Sequence, residues 1–285
     1  MSVRGQDEGD RMNSYPVGSA DWAGVDRTDD PAFFVRFLDA TRARAVAAAE
    51  RDPAGFFAHL DVHEGRHVLD AGCGLGDTAR LIARLVGPAG RVVGVDNSVT
   101  MIREAQRRSA GGTLPVVFQG GDIMALDLPT AAFDRVRAEQ VLQHIADPRR
   151  AVAELARVTR PGGRVIVLEP DWESLVIDAD DLETSRRFTG FNATRVIRHG
   201  PIGRQLPALF REAGLAAVSV APQGVLGGYE TVGEYIATAT ARAVEVGAIE
   251  AAAARRWLDD LRTRHDEGRF LFAFLYFTVS GAVQG

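Results

Sequence analysis

Short apolar runs punctuate the middle of the chain at near-regular intervals, and the stretches between them change to helical spacing. Residues 68–71, 90–96, 115–119, 133–138 and 164–168 are compact runs built around Val, Leu, Ile or Phe. Runs of that length without strict alternation predict strands covered on both faces. After the first run, Leu81, Ile82, Leu85 and Val86 fall on one helical stripe. Asn97 and Ser98 predict the cap of a helix reaching about residue 109, and Asp147-Pro148 opens another to about residue 158. Arg160-Pro161-Gly162-Gly163 reads as a turn. Strand and helix therefore alternate, which predicts an α/β domain with a doubly wound, mostly parallel sheet.

The flanks read differently. Residues 1–30 are polar, with Tyr15 and Trp22 as large anchors, and predict a loose arm that orders on ligand binding. Asp29-Asp30-Pro31 starts a helix that places Phe33, Phe34, Phe37 and Leu38 on one stripe, either packed on the domain or acting as a lid. A short helical piece is expected over 53–60. Beyond the fifth strand, residues 170–214 have helical character, residues 217–221 predict a sixth strand and 270–279 a seventh. Residues 231–262 read as one or two Ala-rich helices broken near Gly247, packed flat on the sheet or against a second copy of the chain.

The densest chemistry lies in Val68-Leu69-Asp70-Ala71-Gly72-Cys73-Gly74-Leu75-Gly76-Asp77, a strand passing through a glycine turn into a helix. Glycine lets a ligand approach the backbone and accepts positive φ, and the helix start offers free N–H groups. A dinucleotide fingerprint requires G-x-G-x-x-G, whereas Gly72, Gly74 and Gly76 make G-x-G-x-G. Asp70 would repel a pyrophosphate and attract an ammonium or sulfonium group, which favours S-adenosylmethionine (SAM) over NAD. Asp96 and Asp122 close the second and third strands, where open α/β sheets bind ligands. An acid at Asp96 suits the hydroxyls of a ribose, and Asp122 an exocyclic adenine amine with Ile123 against the ring.

Composition narrows the class. Hydrophobic content of 46% and charged content of 25% are those of a globular protein with an ample core. A net charge of −5 gives no electrostatic case for a nucleic-acid partner. The single cysteine, Cys73, excludes an internal disulfide framework and a cysteine-rich metal site, and it reads as packing within the turn; no metal is expected. No signal peptide is recognisable and residues 270–279 are too short to span a bilayer as a helix, so no membrane insertion and a cytoplasmic location are expected.

As a set, Asp70-x-Gly72-x-Gly74-x-Gly76, Asp96, Gly121-Asp122, Phe133-Asp134, Leu142-Gln143-His144 and Arg160-Pro161-Gly162-Gly163 resemble the ordered motifs of class I SAM-dependent methyltransferases. The resemblance is strong over about residues 60–170 and nearest to the branch acting on quinone-type and natural-product small molecules. It implies a Rossmann-like seven-stranded, mostly parallel sheet with an antiparallel final strand. It further implies that Asp70, Gly72, Cys73 and Gly74 hold the methionine end of SAM, that Asp96 chelates the ribose, that Asp122 and Ile123 bind the adenine, and that Asn97 and Met101 are further cofactor-binding residues. The Glu139-Gln140 backbone would line the sulfonium, and S-adenosylhomocysteine would be the product. Residues 1–60 would form the arm and helical lid, residues 61–285 the SAM-binding domain, with an acceptor-pocket insertion at about 170–214. Trp172, His199 and Tyr229 are the acceptor-site candidates, with Phe188 and Phe191 either lining the pocket or packing inward. His144 is the candidate general base or a pocket wall. The expected partner is a small-molecule acceptor methylated on oxygen or carbon, and a homo-oligomer is left open. Two other enzyme classes compete: a SAM-binding enzyme whose pocket guides cyclisation or rearrangement, and an NAD(P)-dependent oxidoreductase. A scaffold without activity is the third alternative.

Overall fold

The computed structural model describes residues 18–51 and 57–285. The expected arm up to residue 17, with Tyr15, and residues 53–56 of the expected helical piece lie outside them. Seven strands form one sheet: β1 (His67–Ala71), β2 (Arg91–Asp96), β3 (Val116–Gly120), β4 (Phe133–Glu139), β5 (Thr159–Ile177), β6 (Ala216–Leu226) and β7 (Phe272–Ala282), in the order β3-β2-β1-β4-β5-β7-β6. The first five strands run parallel, and β7 inserts antiparallel between β5 and β6. The chain steps outward from β1 to β2 and β3, then returns to place β4 on the other side of β1. That reversal opens a crevice beyond the carboxyl ends of β1 and β4, where such sheets bind ligands.

The alternation of side chains across each strand builds two cores. Leu69, Val136, Val165, Val167 and Val279 face helices α5 (Pro148–Val158) and α7 (Ile202–Glu212), which bury Leu155, Leu206 and Phe210. Val68, Val92 and Ile166 face the opposite side, under α3 (Asp77–Val86) and α4 (Val99–Ser109). Side chains of this size contribute about 1.5–3 kcal/mol each when fully buried. The expected caps are in place: Ser98 Oγ accepts from Met101 N at 3.2 Å, and Asp147 Oδ1 from Arg150 N at 3.1 Å. No helix among the described residues is long and apolar enough to cross a membrane.

Three expectations change. β5 runs far beyond residue 168, because β7 pairs with it from Arg164↔Ala282 through Ile177↔Phe272 with a register shift after Asp171. The region after residue 170 thus begins as strand and only then forms α6 (Leu182–Phe191), a five-residue π-helical turn (Asn192–Val196) and α7. The Ala-rich segment caps the extended ends of β5 and β7, where Leu175, Ile177 and Phe272 share its core. Its helices α8 (Tyr229–Glu245) and α9 (Ala251–Asp266), separated around Gly247 at φ 73°, pack on each other and on α6. Ala239, Ala243, Phe188 and Trp257 are all buried in that cap, so Phe188 packs inward. Finally, residues 18–30 are tied down. A helical turn α1 (Ser19–Trp22) and a 3-10 turn lead to α2 (Pro31–Arg51), the helix expected either to pack on the domain or to act as a lid. Asp26 caps α4 from outside, accepting from Ser98 Oγ (3.0 Å), Val99 N (2.6 Å) and Thr100 N (3.0 Å).

Gly72 leaves β1 at φ 76°, and a Cβ there would stand 2.2 Å from Val141 Cγ2. Gly72→Ala should therefore cost about 2–4 kcal/mol through strain and overpacking, read as a lowered urea midpoint. A variant within 0.5 kcal/mol of the parent, on the order of an ordinary surface substitution, would refute that contact.

Candidate active site at the ends of β1, β2 and β4

The three carboxylates expected at strand ends occupy one rim of the sheet. Gly72 N and Cys73 N donate to Val95 O at 2.7 and 3.0 Å, which fastens the β1 turn to β2. Asp96 Oδ2 then accepts from Gly74 N at 2.9 Å, and Oδ1 from Ser98 N at 3.0 Å. Gly121 N donates to Asp96 O at 3.0 Å, which brings the Asp122 turn beside β2. Asp122 Oδ1 accepts from Met124 N at 2.8 Å and its side chain is exposed, while Ile123 is buried. Burial pushes the Asp96 carboxyl up against its two backbone donors. Cys73 is buried and burial pushes its thiol up as well, so the sulfur is a packed, protonated group.

The glycines divide by role. A Cβ on Gly72 or Gly76 would collide with Val141 or Phe118, so both are required by packing. Gly74, at φ 51°, would put its Cβ 3.6 Å from Leu38 Cδ1 of α2 and into nothing closer, so packing does not require glycine there.

Asp70 is enclosed, with 1% of its surface exposed, and pairs with Arg137 Nη1 at 2.5 Å. Arg137 also pairs with Glu139, and Arg42 of the lid helix approaches Glu139 at 3.5 Å. Burial pushes the Asp70 carboxyl up against the opposing pull of Arg137. Glu139 is also desolvated, but Arg137 and Arg42 outweigh that and hold it below the usual range. Asp70 Oδ2 remains buried without a hydrogen-bond partner. An unpaired buried carboxylate oxygen, the Asp96 carboxylate and an open glycine backbone make a donor set suited to an ammonium and two ribose hydroxyls. SAM presents those groups, and the residues present fit it.

Asn97 and Met101 meet the N-terminal segment. Asn97 Nδ2 donates to Ala23 O at 3.2 Å, and Met101 is buried with Val25, Phe34 and Leu75. Gln140 holds φ 57° and its N donates to Leu168 O at 2.9 Å, turning the chain sharply out of β4. The following loop gathers the acceptor candidates. Trp22 stacks on His144 at 6.0 Å between ring centres and meets Phe34 and Phe37 edge-on. Trp172 Nε1 donates to Gln143 Oε1 at 2.6 Å, and its ring stacks on Phe274 and tilts against Tyr235. His199 N donates to Gln143 O at 3.2 Å, and His199 Nε2 meets Ile145 O at 3.0 Å. Tyr229 lies elsewhere, stacked on His265 and against Phe270 in the helical cap.

Sequence reasoning missed Arg137, Glu169, Asp26 and Tyr235. The visible signal was Arg135 and Arg137 interrupting an otherwise strand-like run, and two residues apart they share one face.

Residues 69–167 match a family described as a methyltransferase domain. The chain is 43% identical over 206 residues to a 37.1 kDa protein carried on a transposon of Streptomyces fradiae, covering 71% of this chain and 59% of that one. It is 32% identical over 182 residues to demethylmenaquinone methyltransferase of Symbiobacterium thermophilum, covering 56% of this chain and 72% of the relative. The chain belongs to the class I SAM-dependent methyltransferases. The YcgJ protein of Bacillus subtilis shares the fold, with a TM-score of 0.55 at 20% identity over 80% of this chain and 96% of that one. This methyltransferase chain spans less than two thirds of the Streptomyces relative.

Arg137→Leu would strand Asp70 without its cation, which for a buried pair costs about 3–5 kcal/mol. Urea unfolding should show that loss, with partial recovery in Asp70→Asn/Arg137→Leu; an unchanged midpoint in the single variant would contradict the pairing.

Proposed function

We propose that this methyltransferase transfers a methyl group from SAM to a small, planar and largely apolar acceptor held between the lid and the segment after β5. The carrying observation is an aromatic cluster joining the N-terminal segment to the segment after β5: Trp22 meets Phe34, Phe37 and His144, Phe37 packs in one apolar cluster with Trp172 and Tyr235, and Trp172 stacks on Phe274. Aromatic walls favour offset stacking with a flat ring and exclude water. The relative from Symbiobacterium, a demethylmenaquinone methyltransferase, supports an acceptor of the quinone type. In this reading residues 1–60 are arm and lid, residues 61–285 the catalytic domain, and the segment at about 170–214 supplies the acceptor wall together with Tyr235 from α8.

The residues divide the work. SAM supplies an activated methyl on a sulfonium, so what the protein must add is alignment of the accepting atom. Asp70 with Arg137 would hold the methionine end, Asp96 the ribose hydroxyls, and Asp122 with Ile123 the adenine. Glu139, kept ionised by its two arginines, would face the sulfonium side with negative charge. Burial drives the His144 imidazole down to about 3, too low to serve as a general base near neutrality. His144 is therefore read as a wall under Trp22, which favours an acceptor carbon or a hydroxyl acidic enough to ionise by itself.

The test uses the full chain with SAM and a 1,4-naphthoquinol, mass spectrometry reading one added methyl. A general base contributes about 10²–10⁴-fold, so His144→Gln should lose less than about 10-fold in turnover at saturating SAM. A loss of 10²-fold or more, on the order expected for a base, would overturn the wall assignment. Absence of methyl transfer to naphthoquinol and to other flat phenols alike would overturn the acceptor class.

A further inference from the structure

Glu169 has no exposed surface, and the methyl-transfer geometry above leaves it unused. It sits on β5 opposite Phe277 of β7. Its Oε1 accepts from the backbone N–H groups of Val141 at 2.8 Å and Leu142 at 2.7 Å. Its Oε2 is buried with no hydrogen-bond partner among the described residues. The loop it grips is the one on which the acceptor basin hangs. Val141 fills the space beside Gly72, and Gln143 receives the Trp172 indole through its side chain and His199 through its carbonyl.

A carboxyl gripping two consecutive amides does more than cap a strand end. Hydrogen bonds to an ionised acceptor are shorter and roughly twice as strong as those to a neutral one. A change of charge on Glu169 must therefore alter the grip on Val141 and Leu142, and it acts on Gln143 as well, whose backbone N–H also bears on this carboxyl. Gln143 is itself 2% exposed, with no solvent to absorb the movement.

We propose that Glu169 is a positioning residue, whose carboxyl sets the Trp172 wall of the acceptor basin through the Val141–Gln143 backbone and the Gln143 side chain. This rests on the reading of that basin as the acceptor site. Burial, reinforced by Glu139 and opposed by the loop amides, pushes the Glu169 carboxyl up to about 8. The grip therefore passes from neutral acid to carboxylate within an accessible range. The groups facing Glu169 are Glu139 from β4 and Tyr276 from β7, with Arg42 of the lid beyond them. His144 and His199 flank the gripped loop, and Arg204 of α7 is tied to Asp171 and Glu173.

The experiment follows the Trp172 indole N–H resonance in the ¹⁵N-labelled full chain from pH 6 to 9.5, assigned with Trp172→Phe. In the wild type it should titrate with a midpoint near pH 8, while the Trp257 indole, donated to Ser185 Oγ at 2.9 Å in the helical cap, stays fixed. Glu169→Gln should hold the Trp172 resonance at one position across the range. Gln143→Ala leaves Glu169 in place and should abolish the response at Trp172, which keeps the test open if the first variant folds poorly. His199→Gln should leave the midpoint where it was. A flat wild-type signal, a titration that survives Glu169→Gln or Gln143→Ala, or one lost in His199→Gln would each overturn the proposal. Binding of S-adenosylhomocysteine is measured on the same samples and should stay within two-fold of wild type in Glu169→Gln. A larger change would place Glu169 at the cofactor and overturn the positioning role. Failure of the wild type to bind would sink the functional reading alone, leaving the indole coupling to be judged by its own titration.

Discussion

Two chain reversals touch at one point, and the site is built outward from there. Gly72 leaves β1 with a positive φ, Val141 leaves β4 directly against it, and no side chain larger than hydrogen fits between them. That contact brings the turn that would carry the cofactor within reach of the loop that would carry the acceptor wall. It is held from both sides: Val95 carbonyl oxygen ties the β1 turn to β2, and Glu169 ties the β4 loop to β5. In the proposed site, backbone packing of this kind would fix the alignment of the two ligands, which is where most of the gain in methyl transfer lies.

The electrostatics serve the same rim. Asp70, Asp96 and Glu139 concentrate negative charge at the ends of three neighbouring strands, and Arg137 with Arg42 keeps it from becoming prohibitive to bury. Asp26 adds a further carboxylate, which the free N–H groups at the start of α4 stabilise. Because α4 follows Asp96 directly, this clasp fastens the N-terminal segment beside the end of β2. Helix α2 is anchored there as well, by the Arg108–Asp39 pair between α4 and α2, and by Leu38 over Gly74.

What was legible in the sequence was local. The glycine turn, the carboxylates after β2 and β3, the caps at Ser98 and Asp147 and the alternation of strand and helix all lie within a few residues of the features that identify them. What was not legible depends on distance along the chain. Arg137 meets Asp70 across 67 positions, and Asp26 reaches Ser98 across 72. β5 was expected to stop at residue 168 because its continuation is stabilised only by β7, which arrives a hundred residues later. Tyr229 and Tyr235 sit six apart on one helix, yet only Tyr235 meets Trp172, a choice set by how α8 packs on α6 and α9.

The central claim is that the rim at the ends of β1, β2 and β4 is a SAM site. Calorimetric titration of the full chain with S-adenosylhomocysteine, with NADH as the control, tests it most directly. The account predicts one site per chain of micromolar or tighter affinity for S-adenosylhomocysteine, on the order of −8 kcal/mol, and no heat from NADH. Binding of NADH in its place, or of neither ligand, would contradict it.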